Sequence, residues 1–98
     1  MDEEQDFAYA VSEKALRNMA ETAGREAPGV VAIRSRSVSV TGGVVHLHLA
    51  VRARYGDDLR HLALDIQQRA AKAIETMAEP KGLDISVTIE DLAIPPAE

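Results

Sequence analysis

The sequence predicts an α+β domain: a two-layer sandwich in the order α-β-β-α-β, with two helices on one face of a three-stranded mixed sheet. Three observations lead there. Two stretches repeat apolar residues at helical spacing, and three others alternate apolar and polar residues with period two. The chain has 98 residues, which suits one domain with one modest core. Its 46% hydrophobic and 28% charged residues are a globular balance, which excludes a disordered chain.

The elements follow in order. Residues 1–10 form an acidic tail, expected to be mobile, ahead of a single domain over residues 11–92. Ser12 offers an N-cap, and Glu13 stands in the first turn where the helix dipole favours an acid. Leu16, Met19, Ala20, Ala23 and Ala27 make one apolar stripe, so a first helix is expected from about Ser12 to Glu26. Pro28-Gly29 ends it. Val31 and Ile33 then lie on odd positions while Val38 and Val40 lie on even ones. A bulge or short irregular stretch near Arg34–Arg36 reconciles the two halves of this first strand. Thr41-Gly42-Gly43 reads as a hairpin turn.

The next strand alternates cleanly. Val45, Leu47, Leu49, Val51 and Ala53 face the core; Val44, His46, His48, Ala50, Arg52 and Arg54 face water. Gly56 breaks it, and Asp57 or Asp58 caps a second helix running to about Ala78. Its stripe is Leu59, Leu62, Ala63, Ile66, Ala70, Ala73, Ile74 and Met77, and Pro80 and Gly82 stop it. Leu83, Ile85, Val87 and Ile89 alternate with Asp84, Ser86, Thr88 and Glu90 as a last strand, before a tail over residues 93–98. One helix crosses between the second and third strands, so these two run in the same direction. Whether the third strand pairs with the first or the second stays open.

Composition narrows the function. There is no cysteine, so disulfides, thiolate metal sites and a cysteine nucleophile are excluded. Aromatics are 3%, namely Phe7, Tyr9 and Tyr55, too few for a surface that stacks bases. The apolar runs are short for a membrane span, and MDEEQD lacks the order of a signal peptide. A cytoplasmic protein is expected, with no direct membrane insertion.

The net charge of −5 is unevenly placed. Asp2, Glu3, Glu4 and Asp6 hold four of the 16 acids, which leaves 12 against 11 Lys and Arg over residues 7–98. Residues 27–56 contain no acid at all, yet hold Arg34, Arg36, His46, His48, Arg52 and Arg54. These six are the candidate partner surface, and the exposed edge of the sheet is the alternative, because its unpaired backbone groups can pair with another copy. Such charge asymmetry attracts an anionic partner, unless acids from other segments balance it in the fold.

Candidate chemistry is sparse. His46 and His48 share a strand face, but a metal site needs three or four ligands, and His61 falls on the second helix. No serine stands in a nucleophile-elbow pattern, and Gly42-Gly43 is followed by a strand rather than by the helix a phosphate loop requires. No catalytic residue, metal or cofactor is assigned. The order α-β-β-α-β is similar to type II KH-like domains, whose phosphate clamp needs a GXXG or small-residue kink; the second helix has no glycine, and the net charge opposes phosphate contacts. An RNA-associated factor using the basic hairpin is the alternative, with nucleic acid disfavoured.

Three stretches together carry a resemblance: VSEKALRNMAETAGREAPGV (Val11–Val30), RARYG (Arg52–Gly56) and DIQQRAAKAIETMAEPKGLDISVTI (Asp65–Ile89). In this order and spacing they resemble the bacterial alkaline-shock and general-stress protein family, whose members are called envelope stress response proteins. The resemblance covers about Val11 to Leu92. It implies the same α/β sandwich and a non-enzymatic stress role at the cytoplasmic side of the envelope. It also implies self-association into homo-oligomers and contact with small membrane-anchored protein partners. Ala27-Pro28-Gly29-Val30 carries over as a structural corner. Many members have a long insertion after this corner; here only Val31 to Ser37 fills the space, a compact variant.

Overall fold

The computed structural model describes residues 11–56 and 58–94. The acidic tail with Phe7 and Tyr9, the cap candidate Asp57 and residues 95–98 lie outside the described residues. The chain folds as α1 (Glu13–Arg25), β1 (Val30–Thr41), β2 (Val44–Arg54), α2 (Leu59–Ala78) and β3 (Gly82–Ala93), the expected α+β order. The sheet runs β1-β2-β3. β1 and β2 are antiparallel, and β3 pairs parallel with β2. Partnering β3 with β2 places the first-made hairpin and the crossover strand in one sheet with β2 at its centre.

Helix α1 starts where its cap does: the Ser12 hydroxyl accepts the Ala15 N–H at 3.0 Å. Its buried residues are Leu16, Ala20 and Gly24, at i, i+4 and i+8. Gly24 was not on the expected stripe, because a glycine adds nothing to an apolar pattern. Its value is room: a Cβ there would lie 2.8 Å from Ile33 Cδ1 and 3.3 Å from Ile66 Cγ2. The missing side chain lets α1 settle on the sheet and on α2 together, at a helix-propensity cost of about 1 kcal/mol.

Strand β1 carries the expected bulge. Its register slips between Ser35 and Ser37, so Arg36 is the extra residue and both Ile33 and Val38 turn to the core. A second slip between Val30 and Ala32, not expected from the sequence, leaves Val31 half exposed instead of sharing a face with Ile33. The hairpin turns on Gly42 (φ 60°) and Gly43 (φ 84°), two successive positive φ values that match the right-handed twist of the strands.

Asp58 caps α2, its Oδ1 accepting the His61 N–H at 3.1 Å. Leu62, Ile66, Ala70 and Ile74 are buried along the helix. Met77, expected on this stripe, is 55% exposed and lies on the outer surface instead. The helix ends at Glu79, a non-glycine residue in the left-handed region (φ 48°), ahead of Pro80. β3 runs through Ala93, so Asp91, Leu92 and Ala93 extend the strand three residues past Glu90.

The core lies between the helices and one face of the sheet. Leu16, Leu49, Val51, Ile66 and Ile74 are its largest fully buried side chains, each stabilising the fold by about 1.5–3 kcal/mol. α1 packs on β1, α2 on β3, and the helices touch each other. Among the described residues, no helix is long and apolar enough to cross a membrane.

Candidate interaction surface

The face of the sheet away from the helices is open. Alternation along β2 sends His46, His48 and Arg52 to it, between outward residues of β1 and β3. The slip at Arg36 keeps both Arg34 and Arg36 on this face. The matching slip in β3, between Ile89 and Asp91, presents Glu90 and Asp91 together on the same side. Two bulges thus set Arg34 and Arg36 of one edge strand, and Arg52 of the central one, against Glu90 and Asp91 of the other edge.

The result is charge pairing across the sheet. Arg34 donates twice to Glu90, Nη2 to Oε1 at 2.9 Å and Nε to Oε2 at 3.2 Å. Arg36 Nη1 lies 3.9 Å from the same Oε1. Arg52 Nε reaches Asp91 Oδ2 at 3.2 Å. His46 Nδ1 lies 3.2 Å from Asp84 Oδ2, and His48 Nε2 lies 2.7 Å from Thr88 Oγ1. The acid-free stretch 27–56 is therefore balanced by acids supplied from β3. Ala50 shows how closely: it points to the open face, where the alternation made it solvent-facing, yet it is only 1% exposed.

Five of the six sequence-selected residues come together here: Arg34, Arg36, His46, His48 and Arg52. Arg54 stands apart, at the end of β2, where it lines a cavity of about 280 Å³ with Pro28, Asp58, His61 and Asp65. His46 and His48 each face one polar partner on β3. Among the described residues, no group of three or more His, Asp or Glu is arranged to hold a metal ion.

A larger hollow, about 640 Å³, lies between the helices on the outer side, over Met19, Ala23, Ala73 and Met77. Asn18, Thr22 and Thr76 also line it, with Glu26, Arg69 and Lys72.

A third feature lies at the sheet edge, which the sequence offers for self-pairing without saying which strand forms it. On β2 the core-facing residues Val45, Leu47, Leu49 and Val51 are 0–3% exposed. The matching row on β3, Leu83, Ile85, Val87 and Ile89, is only half buried. No described strand pairs with the outer edge of β3. Alternation in the sequence finds the row; which strand lies at an edge depends on strand order, which alternation does not encode.

No family model matches the chain, and no curated protein matches it. Solved structures do. A doubly substituted form of the MamM CTD superposes with a TM-score of 0.55 at 14% identity, over 87% of this chain and 97% of that one. The copper form of the MamM CTD gives 0.52 at 16% identity, over 86% and 96%. The likeness spans nearly the whole of both chains, and at this identity it establishes a shared α+β architecture.

Proposed function

We propose that this chain is a non-catalytic interaction protein that works by self-association or by docking a partner protein. The observation that carries the reading is the half-buried apolar row of β3 at an unpaired sheet edge. Exposed backbone donors and acceptors beside uncovered apolar side chains are what strand-to-strand association uses. The polar groups of the open face support the same reading, because they bond to one another instead of converging on a cavity. The resemblance to the envelope stress family supplies the setting: the cytoplasmic side of the cell envelope, with a small membrane-anchored protein as partner. The architecture shared with the MamM CTD is compatible with an interaction domain and adds nothing about metal or transport to this chain.

The RNA-associated alternative needs uncompensated arginines. Arg34, Arg36 and Arg52 are each opposite a carboxylate, which removes most of the attraction for phosphate. Light scattering across the micromolar range is the test, combined with a pull-down from a membrane-containing lysate. A mass above the monomer, or a stoichiometric protein partner, is expected. A strict monomer at high micromolar concentration with no partner captured would overturn the proposal.

A further inference from the structure

We infer that β3, from Gly82 to Ile89, is the docking edge for a second copy of this chain. The two strands pair antiparallel about a two-fold axis at Ser86 and join two sheets into one. This rests on the interaction reading above and specifies the surface, the partner and the register.

The sheet has two edges, and they are built differently. β1 is interrupted twice by register slips, one of them at Arg36 with Arg34 close by. Its mid-edge N–H at Ser35 is already taken by Glu21 Oε2 at 2.8 Å. Bulges and charge are devices that keep an edge from pairing. β3 is unbroken from Gly82 to Ile89, its one slip lying beyond. Its apolar row is left half buried along the edge. The Ile85 carbonyl is reached from α2 by the Gln67 amide at 2.9 Å, so it faces outward from the sheet. Alternation gives Leu83, Val87 and Ile89 the same outward backbone direction.

The register follows from pairing this row with itself. A two-fold axis at Ser86 sets Ile85 opposite the copy's Val87 and Leu83 opposite its Ile89, so all four apolar residues find partners. The outward-pointing backbone groups make Ile85 and Val87 a hydrogen-bonded pair and Ser86 with its copy a non-hydrogen-bonded one. On the polar face, Asp84 meets Thr88 and Glu90 meets Gly82, with no acid opposite an acid. Moving the axis to Val87 would set Asp84 against Glu90, two like charges directly opposed. Moving it to Ile85 would leave Ile89 without a partner. At Ser86 the copy's Ile89 also arrives beside a shallow hollow of about 260 Å³ formed by Gln67, Gln68, Ala71, Leu83 and Ile85. In the free chain Gln67 satisfies the Ile85 carbonyl; in the pair the copy's Val87 N–H takes that place.

The chain has no cysteine, so a single introduced thiol reports the register without background. In the full chain, Ser86→Cys is expected to form a disulfide-linked dimer under mild oxidation, because a non-hydrogen-bonded antiparallel pair brings the Cα atoms to about 4.5 Å, within disulfide reach. Thr88→Cys, opposite Asp84, is expected to stay unlinked, as is Ser39→Cys on β1. Val87→Lys is expected to halve the mass seen by light scattering while keeping a cooperative thermal transition and the far-ultraviolet dichroism of the parent. If the parent self-associates but Ser86→Cys stays unlinked and Val87→Lys keeps the mass, this edge is the wrong one and the interaction reading survives. If the parent is monomeric but takes a protein partner, the second copy is the wrong occupant. A monomer that takes no partner removes both.

Discussion

Arg34 and Glu90 hold each other across the full width of the sheet, from one edge strand to the other, by two hydrogen bonds of 2.9 and 3.2 Å. Glu90 also draws in Arg36, and Asp91 beside it holds Arg52. The contribution to stability is small, about 1 kcal/mol or less for pairs this exposed. The effect on the surface is larger, since two carboxylates offset most of the charge of three arginines. Replacing both acids with their amides (Glu90→Gln with Asp91→Asn) is therefore expected to unmask a basic face. On a heparin column the variant should elute at clearly higher salt than the parent, with a melting temperature lowered by at most several degrees. Equal elution would mean that the pairs do not control the potential of this face.

Ala50 lies under that bridge and is 1% exposed. It is paired with Arg34 on one side and Thr88 on the other. A larger side chain must lift the Arg34–Glu90 bridge or push the strands apart. Ala50→Leu is expected to destabilise by about 1–3 kcal/mol, in the range for overpacked sites. Ala50→Ser is expected to be tolerated, and urea midpoints of the two variants check the difference.

Most of the fold was legible because its signals are local. Ser12, Asp58, Gly42-Gly43 and the alternation of Val45 to Val51 each act within a few residues, and the conflict between Ile33 and Val38 gave away the Arg36 bulge. The features that escaped depend on what the chain meets after folding. Gly24 is buried because Ile33 and Ile66 arrive beside it. Ala50 is covered because an arginine and a glutamate 56 residues apart close over it. Met77 keeps the helical spacing of the core stripe, but the outer hollow between α1 and α2 is where it lies. The same holds for the candidate surface. Its arginines and histidines were visible, while their acidic partners became partners only through the parallel pairing of β3 with β2.

Glu21 and Ser35 make a second, opposite pair of predictions at the β1 bulge. The Glu21 carboxylate accepts the Ser35 N–H at 2.8 Å, while the buried Ser35 hydroxyl has no partner. Glu21→Ala strips a partner from a bulge N–H and is expected to cost about 1–2 kcal/mol. Ser35→Ala removes an unsatisfied buried oxygen and is expected to be neutral or mildly stabilising. Chemical denaturation of the two variants should show shifts of opposite sign, or one shift and one null.

Glu79 closes α2 with φ 48°, a conformation that costs a residue with a Cβ about 1–2 kcal/mol. Glycine takes it without that strain, although it also gains freedom in the unfolded chain. Glu79→Gly is expected to raise stability by about 0.5–1 kcal/mol. A rise in melting temperature with an unchanged denaturant slope would show it, and a fall would mean that the Glu79 side chain contributes a contact worth more than the strain.

Leu49 and Val87 face each other on neighbouring strands and on the same side of the sheet. Leu49 is 0% exposed, and Val87 is only half buried. Their truncations should differ accordingly. Leu49→Ala opens a cavity in the centre of the core and is expected to cost about 3–5 kcal/mol. Val87→Ala removes less and lets solvent fill the space, so about 1 kcal/mol is expected at low protein concentration. The concentration dependence then separates packing from assembly. If β3 is an edge that docks a second copy, the cost of Val87→Ala grows as the protein is concentrated, because binding stabilises the folded parent by mass action. The cost of Leu49→Ala should change far less, since its side chain never meets the interface. Urea titrations of parent and both variants at two widely separated protein concentrations measure this directly. A Val87→Ala cost as large as that of Leu49→Ala and independent of concentration would place Val87 in the interior and remove the basis for docking at that edge.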